Sequence, residues 1–467
     1  MENASVASAP GLKRSLTLSD LIFYGIIVIQ PVAPMSVFGV LSDRGRGHVV
    51  TTILIAMVGM LLTAISYGRM ARVYPSAGSA FTYVGQEISP ALGYVTGWSM
   101  VMDYILNPMI CVIWCSQQAH VFTPHVPYWA WAIFFAALFT SLNIQGVKTS
   151  ARVNTALAAG MGAVIAIFFI AAARYIFETP HGDAAFFTRP FYDPQTFDLR
   201  AVLGGTSIAV LTYIGFDGIS TLSEEAENPR RNILLATVLT CLVIGLLSAF
   251  EVYAAQLIWP ASQAFPNQDT AFVAVAQRAW PPLFAIVGFT LLIANFGSGL
   301  GAQIGAARLL YGMGRSSALP KSFFGAVDPK RRVPRNNVIL VGMLALVGAL
   351  LVEIPLHHAT AGQAGGGGTL FSYGLGAEML NFGALIAFMG VNAAALVHYY
   401  FRKGARTVGN FVPPVLGFVI CLILWLGLSN PAKIAGAIWM AVGIAFGAWK
   451  THGFRRNLIN FELPEET

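Results

Sequence analysis

The sequence predicts an all-α integral membrane protein with twelve transmembrane helices, and three observations predict it. Of the 467 residues, 56% are hydrophobic and 10% charged, where a soluble domain carries about 25% charged residues. Apolar runs long enough to cross a hydrocarbon core of about 30 Å, which takes about 20 residues of helix, recur along the chain. The connections between them alternate between rich and poor in lysine and arginine, the pattern that sets membrane orientation.

On that ruler the spans fall near 18–40, 48–70, 90–118, 127–146, 153–177, 200–222, 232–258, 282–313, 336–353, 369–401, 411–428 and 432–449. Twenty of the 28 basic residues lie on the side of the N-terminus, including Arg69, Arg72, Lys148, Arg152, Arg230, Arg231 and the KRRVPR run at 330–335. Seven (Arg44, Arg46, Arg174, Arg189, Arg200, Arg278, Lys433) fall on the other side, and Arg308 lies within a span. The bias puts both termini in the cytoplasm of a cell membrane, the inner one in a bacterium. The net charge of +7 is therefore a topology signal and not a nucleic-acid footprint, and KRRVPR reads as an anchor to phospholipid headgroups. The opening MENASVASAPGLKRSLTLSD has no charged-then-apolar leader, so no cleaved signal peptide is expected.

The segments 178–199 and 259–281 are the longest external connections. PASQAFPNQDTAFVAVAQRAW, within the second, is expected to hold a short helix over the external mouth. HHATAGQAGGGG (357–368) reads as a flexible linker, and His357 and His358 make no metal site by adjacency alone. Cys111, Cys115, Cys241 and Cys421 all lie in apolar runs and read as reduced packing residues. Trp98, Trp114, Trp129, Trp131, Trp425 and Trp439 read as interfacial or packing residues.

Two spans are interrupted near their middles. Ile29-Gln30-Pro31-Val32-Ala33-Pro34-Met35 holds two prolines, each removing a backbone donor and disfavouring helix before it. In span 6, Gly215 and Gly218 bracket Phe216-Asp217. Irregular backbone at membrane depth is tolerated only where protein or a water-filled cavity satisfies it. Breaks five spans apart fit an inverted repeat whose half-helix ends frame a midplane site for a polar or charged solute; tolerated kinks are the plainer alternative. The chain then divides into a cytoplasmic tail (1–17), a first repeat (18–177), an external loop (178–199), a second repeat (200–401), two further helices (402–449) and a cytoplasmic C-terminal tail (450–467).

Four blocks resemble the amino acid–polyamine–organocation transporters: ISYGRMARVYPSAGSAFTYVGQEISPALGYVTGW (65–98), YIGFDGISTLSEEAENPRRNI (213–233), AARLLYGMGRSSALPKSF (306–323) and EMLNFGALIAF (378–388). The likeness runs in order from about residue 15 to 430. SAGSAFTY, DYILNPM (103–109) and NFGALIAF look most like bacterial putrescine importers. The resemblance implies a leucine-transporter-like 5+5 inverted repeat with spans 1 and 6 interrupted, alternating access and, usually, proton coupling. Two departures stand out. Where many amino acid carriers of the superfamily place glycine-serine-glycine, whose amides hold a substrate carboxylate, this chain has Ala33-Pro34-Met35. Where some members carry a lysine in place of a sodium ion, it has Met161.

The candidate binding residues follow from both lines. The span 1 break offers Gln30, Ala33, Pro34 and Met35; the span 6 break offers Tyr213, Ile214, Gly215, Phe216 and Asp217. An intramembrane carboxylate is costly and so a functional candidate. Asp103, with Tyr104 beside it, suits an ammonium ligand or a proton relay, or is a buried hydrogen-bonded acid. Asp217 either caps the second half of span 6 or touches ligand. Glu378 either draws cations at the external mouth or is a solvated helix start. Glu251 reads as structural, held by nearby polar groups, and Arg308 as an ion-pair partner of Glu224 or Glu225. Asn295 and Ser298 face span 1 as packing groups or as an ion or water site. Tyr213 and Phe216 are placed to close over a cation. The leading expectation is an importer of a small organic cation, putrescine first, by proton symport, using no metal or other cofactor and binding no nucleic acid. An amino acid permease or exchanger is the alternative. No nucleotide loop or nucleophile elbow points to an enzyme.

Overall fold

The computed structural model describes residues 16–75, 79–145, 151–180, 184–223, 226–315, 319–331, 333–352 and 371–453. Their regular structure is helical: α1 (Leu18–Ile29), α2 (Ala33–Arg44), α3 (Val49–Val73), α4 (Ser79–Glu87), α5 (Pro90–Phe122), α6 (Tyr128–Gln145), α7 (Ala151–Glu178), α8 (Leu199–Ala209), α9 (Pro229–Ile258), α10 (Ala271–Ala279), α11 (Leu283–Arg315), α12 (Lys321–Phe324), α13 (Arg335–Leu351), α14 (Tyr373–Leu396), α15 (Val408–Gly427) and α16 (Asn430–Lys450). Among them nine helical segments are long and apolar enough to cross a membrane, and α1 with α2 makes a tenth as a pair bent by 44°. The chain is thus a multi-pass membrane protein. The 18-residue α6 and the shorter apolar α13 stand beside these.

Local chemistry sets the breaks. Thr17 and Asp20 form a reciprocal capping box that starts α1. The helix stops at Gln30, whose φ of 68° no helix can continue, and Pro34 then sits in the first turn of α2, where a missing N–H costs nothing. In span 6, α8 tightens into a 3-10 turn over Val210–Tyr213, breaks at Ile214 and Gly215, and resumes as 3-10 helix over Phe216–Leu222. Gly215 has φ 116°, a conformation open to glycine and strained for other residues.

Burial orders the bundle. The most apolar window of α5 is 89% buried, against 22% for α15 and 28% for α16, so α5 is the central post and the last two helices are peripheral. The α16 helix docks on α5 through small residues. A Cβ at Gly443 would overlap the Trp98 ring, and one at Gly447 would stand 2.5 Å from the Tyr94 ring. Trp98 and Trp439 stack with centroids 4.9 Å apart, and each indole N–H donates to the other's backbone carbonyl, at 2.9 and 3.1 Å. At the end of the bundle that holds the N-terminal segment, Glu87 closes α4 onto α14 and its continuation. Its carboxylate accepts from Tyr74 at 2.7 Å and meets His398 Nδ1 at 2.5 Å and Arg402 at 3.1 Å.

The expected short helix in 260–280 is α10. All four cysteines are free and buried. Glu224, Glu225, His357, His358 and the linker 357–368 lie outside the described residues.

Candidate functional site

The two breaks meet at one cavity of about 50 Å³, room for roughly three to five waters. The first break contributes Gln30 and Ala33, with Ser36 one turn on; the second contributes Ile214. Asn107 and Cys111 reach it from α5, Asn295 and Ser298 from α11, and Tyr373 from the start of α14. Five of the residues expected from sequence are therefore in its wall: Gln30, Ala33, Ile214, Asn295 and Ser298. Ser36, Asn107, Cys111 and Tyr373 were not foreseen. The signal for Asn107 was its spacing, four residues after Asp103 and so on the same face of the helix.

Hydrogen bonds fix this wall. Gln30 donates its side-chain amide to the Ala294 carbonyl at 2.7 Å, and Asn295 donates to Ser36 Oγ at 3.1 Å and to the Leu291 carbonyl at 2.9 Å. At the start of α2, the Ala33 N–H donates to the Gln30 carbonyl at 3.0 Å and the Met35 N–H to the Val32 carbonyl at 3.1 Å. Pro34 has no N–H. Residues 33–35 thus present no free amide.

Asp103 lies one turn from Asn107 toward the N-terminal end of α5 and is buried. Its charge and that of Asp217 lie within mutual reach, and both reach Tyr67 and Tyr104. Asp217 lies in the field of the Gly215 and Gly218 backbone amides. Phe216 joins an aromatic wall there, 5.5 Å from Tyr67 and 5.2 Å from Phe388 between ring centroids. Asp103, Tyr104, Gly215, Phe216 and Asp217 form this acidic, aromatic group; they, and separately Pro34 and Met35 on α2, lie outside the cavity's immediate lining.

Two residues lie elsewhere. Tyr213 is fully buried and donates its hydroxyl to the Ile53 carbonyl of α3 at 3.0 Å. Glu378 accepts from Arg44 at 2.8 Å and from the Ser429 N–H at 3.1 Å, tying α2, α14 and the turn into α16 together. Glu251 differs from the expectation of a carboxyl held by polar neighbours. It is fully buried on α9, and neither oxygen has a hydrogen-bonding partner among the described residues. Arg308 is exposed on α11; Gly297, Gly301 and Gly312 of that helix have nothing within 4 Å of where a Cβ would stand.

The end of the bundle where α2 finishes is closed. Phe38 meets Phe265 and Phe272 edge-on, both at 5.7 Å, and Phe272 packs on Phe168 at 4.8 Å. Trp114 donates to the Asp269 carbonyl at 3.0 Å and Gln117 to the Asp269 carboxylate at 2.8 Å. Burial pushes the Asp269 carboxyl above its ordinary range, and the Gln117 amide offsets part of that.

A family model described as Amino acid permease matches residues 28–362. The low-affinity putrescine importer PlaP of Escherichia coli (strain K12) is 34% identical over 460 residues, covering 97% of this chain and 96% of that protein. A methylthioribose transporter of Bacillus subtilis (strain 168) is 25% identical, covering 95% of each chain. The branched-chain amino acid permease BcaP of Lactococcus lactis subsp. cremoris is 24% identical, covering 94% of this chain and 95% of that one.

Proposed function

The chain belongs to the amino acid permease family, and on that premise we propose that it imports a small organic cation, putrescine or a close relative, by proton symport with alternating access. The carrying observation is the start of α2. Ala33 and Met35 use their N–H groups on backbone carbonyls and Pro34 has none, so a substrate carboxylate would find no donors there. Each missing bond in a water-poor site costs about 1–3 kcal/mol. Asp103 and Asp217 supply negative charge nearby, with Tyr104 and Phe216 offering π faces to an ammonium group. These two acids share the ammonium and the coupling proton between them. The name of the Escherichia coli relative supports the same substrate class.

Counted with α1–α2 as one span, α8 and its continuation as another, and α6 and α13 as spans, the chain crosses twelve times as two inverted halves plus α15 and α16. The charge bias supports a cytoplasmic N-terminal side and hence an external α10, and the family supports transport as the output.

Competition against labelled putrescine in proteoliposomes tests the reading. Putrescine outcompetes ornithine, the same diamine skeleton with one carboxylate, by at least about fivefold, and Pro34→Gly narrows the gap by restoring an amide. Better competition by ornithine or a neutral amino acid would replace this reading with an amino acid permease, the activity named for BcaP.

A further inference from the structure

The segment that closes the α10 end carries a carboxylate whose placement closure alone does not explain. Asp269 has its backbone carbonyl on Trp114 and its backbone N–H on Asn267, which already fixes the loop. Its carboxylate is turned to α5 and accepts from the neutral amide of Gln117. Among the described residues no cation pairs with it: Arg278, on the same segment, is engaged with Tyr175 and Gln263.

Position gives this carboxylate a role. Cys111 lines the cavity, and Trp114 and Gln117 follow it by three and six residues, about 4.5 and 9 Å along the same helix. Asp269 therefore sits beyond the cavity, toward the α10 end of α5. Tyr373, which also lines the cavity, lies within its electrostatic reach.

Resting on the amine-import reading, we propose that Asp269 is the outer receptor for the substrate's ammonium group, and that exchange of the Gln117 amide for that ammonium removes one of the two bonds tying the loop before α10 to α5, the Trp114 bond being the other, and so loosens the closure. A charged donor makes a shorter and stronger bond to a carboxylate than a neutral amide does. The incoming cation therefore competes for an atom that helps to hold the closure, and the bond that admits it also loosens its path. Acids then stand at both ends of the cavity, Asp269 outside and Asp103 inside, with neutral amides and hydroxyls between them.

The test uses Cys111 as reporter, in the full chain with Cys115, Cys241 and Cys421 replaced by alanine. A membrane-impermeant thiol reagent is applied to whole cells while putrescine uptake is measured in parallel and surface abundance is matched. Asp269→Asn keeps an acceptor for Gln117 and loses the charge; it raises the KM for putrescine about fivefold with kcat within about twofold, and Cys111 labelling stays near that of the parent. Asp269→Ala and, independently, Gln117→Leu remove the bond and speed Cys111 labelling about tenfold. An unchanged KM in Asp269→Asn overturns the receptor role. Unchanged labelling in both Asp269→Ala and Gln117→Leu overturns the latch. If the parent carries no diamine, the import reading and the receptor role fall together, while labelling still decides the latch.

Discussion

The side-chain amide of Gln30 donates to the carbonyl of Ala294 at 2.7 Å, so the residue at the break of α1 is held by the helix it faces. The bond spans 264 residues of sequence and lies against Asn295, whose own amide holds Ser36 on the far side of the same break. Gln30→Leu keeps the bulk and removes the donor, leaving the Ala294 carbonyl with its helical partner alone and loosening the tie between α1 and α11. The expected cost is about 1–3 kcal/mol, read as a lower unfolding midpoint in detergent, together with weaker putrescine uptake. An unchanged midpoint would mean that the break holds itself without α11.

Glu378 is expected to affect stability and not recognition. Its partner Arg44 is 47% exposed, so the pair is screened and contributes about 0.5–1 kcal/mol. A double-mutant cycle with Arg44→Ala and Glu378→Ala should return a coupling of that size, while Arg44→Ala leaves the KM for putrescine within about twofold. A large KM shift would restore Glu378 as a substrate contact.

Asp103→Asn should lower uptake driven by a proton gradient by about tenfold or more, since an intramembrane acid that carries charge or proton has no substitute in the neutral amide. Surface abundance should stay within about twofold, and sodium should not be required. Accumulation that depends on sodium and ignores a pH gradient would remove the coupling proposal.

Closure at α10 should depend on pH, with a definite sign. Burial raises the Asp269 carboxyl above its ordinary range, so the closed form holds a proton more tightly than an open, hydrated aspartate does. Protonation therefore favours closure below that raised value, and the contribution is lost as pH climbs through it. Gln117 and Trp114 from α5, Asn267 from the loop and Tyr373 from α14 face the group, and none of the four carries charge near neutrality. The rate of Cys111 labelling in the parent relative to that in Asp269→Asn, a ratio in which the falling thiolate fraction cancels, should drop as the medium is taken from about pH 6 to pH 4; a ratio that does not change with pH would remove the pH-dependent closure.

What the sequence makes legible follows from how local each signal is. The breaks are written into prolines and glycines, so Gln30, Ala33 and Ile214 can be placed at a cavity wall before any tertiary contact is known. Asn295 and Ser298 are legible because two polar residues with glycines interrupt an apolar helix. Asn107 and Ser36 are harder: the spacing of Asn107 from Asp103 gives it a face of α5, but what a neutral polar residue on a helix meets is fixed only by the docking of α5 and α2. Glu378 looks like a cation site because its neutralising arginine lies 334 residues away. Tyr213 looks like a lid because its neighbours are at the break, yet its hydroxyl is taken by a carbonyl on another helix. Asp269 sits in a polar loop, where an aspartate attracts no notice until Gln117 is found beside it.

The mutual stacking of Trp98 and Trp439 has an optical consequence. Two indoles 4.9 Å apart with ring planes 20° from parallel couple their electronic transitions, and held in one handed arrangement they give a paired positive and negative circular-dichroism signal that isolated tryptophans lack. Because one indole belongs to α5 and the other to α16, that couplet records whether the last helix stays seated on the central one through a transport cycle. It does so without a label, and Trp439→Phe supplies the blank.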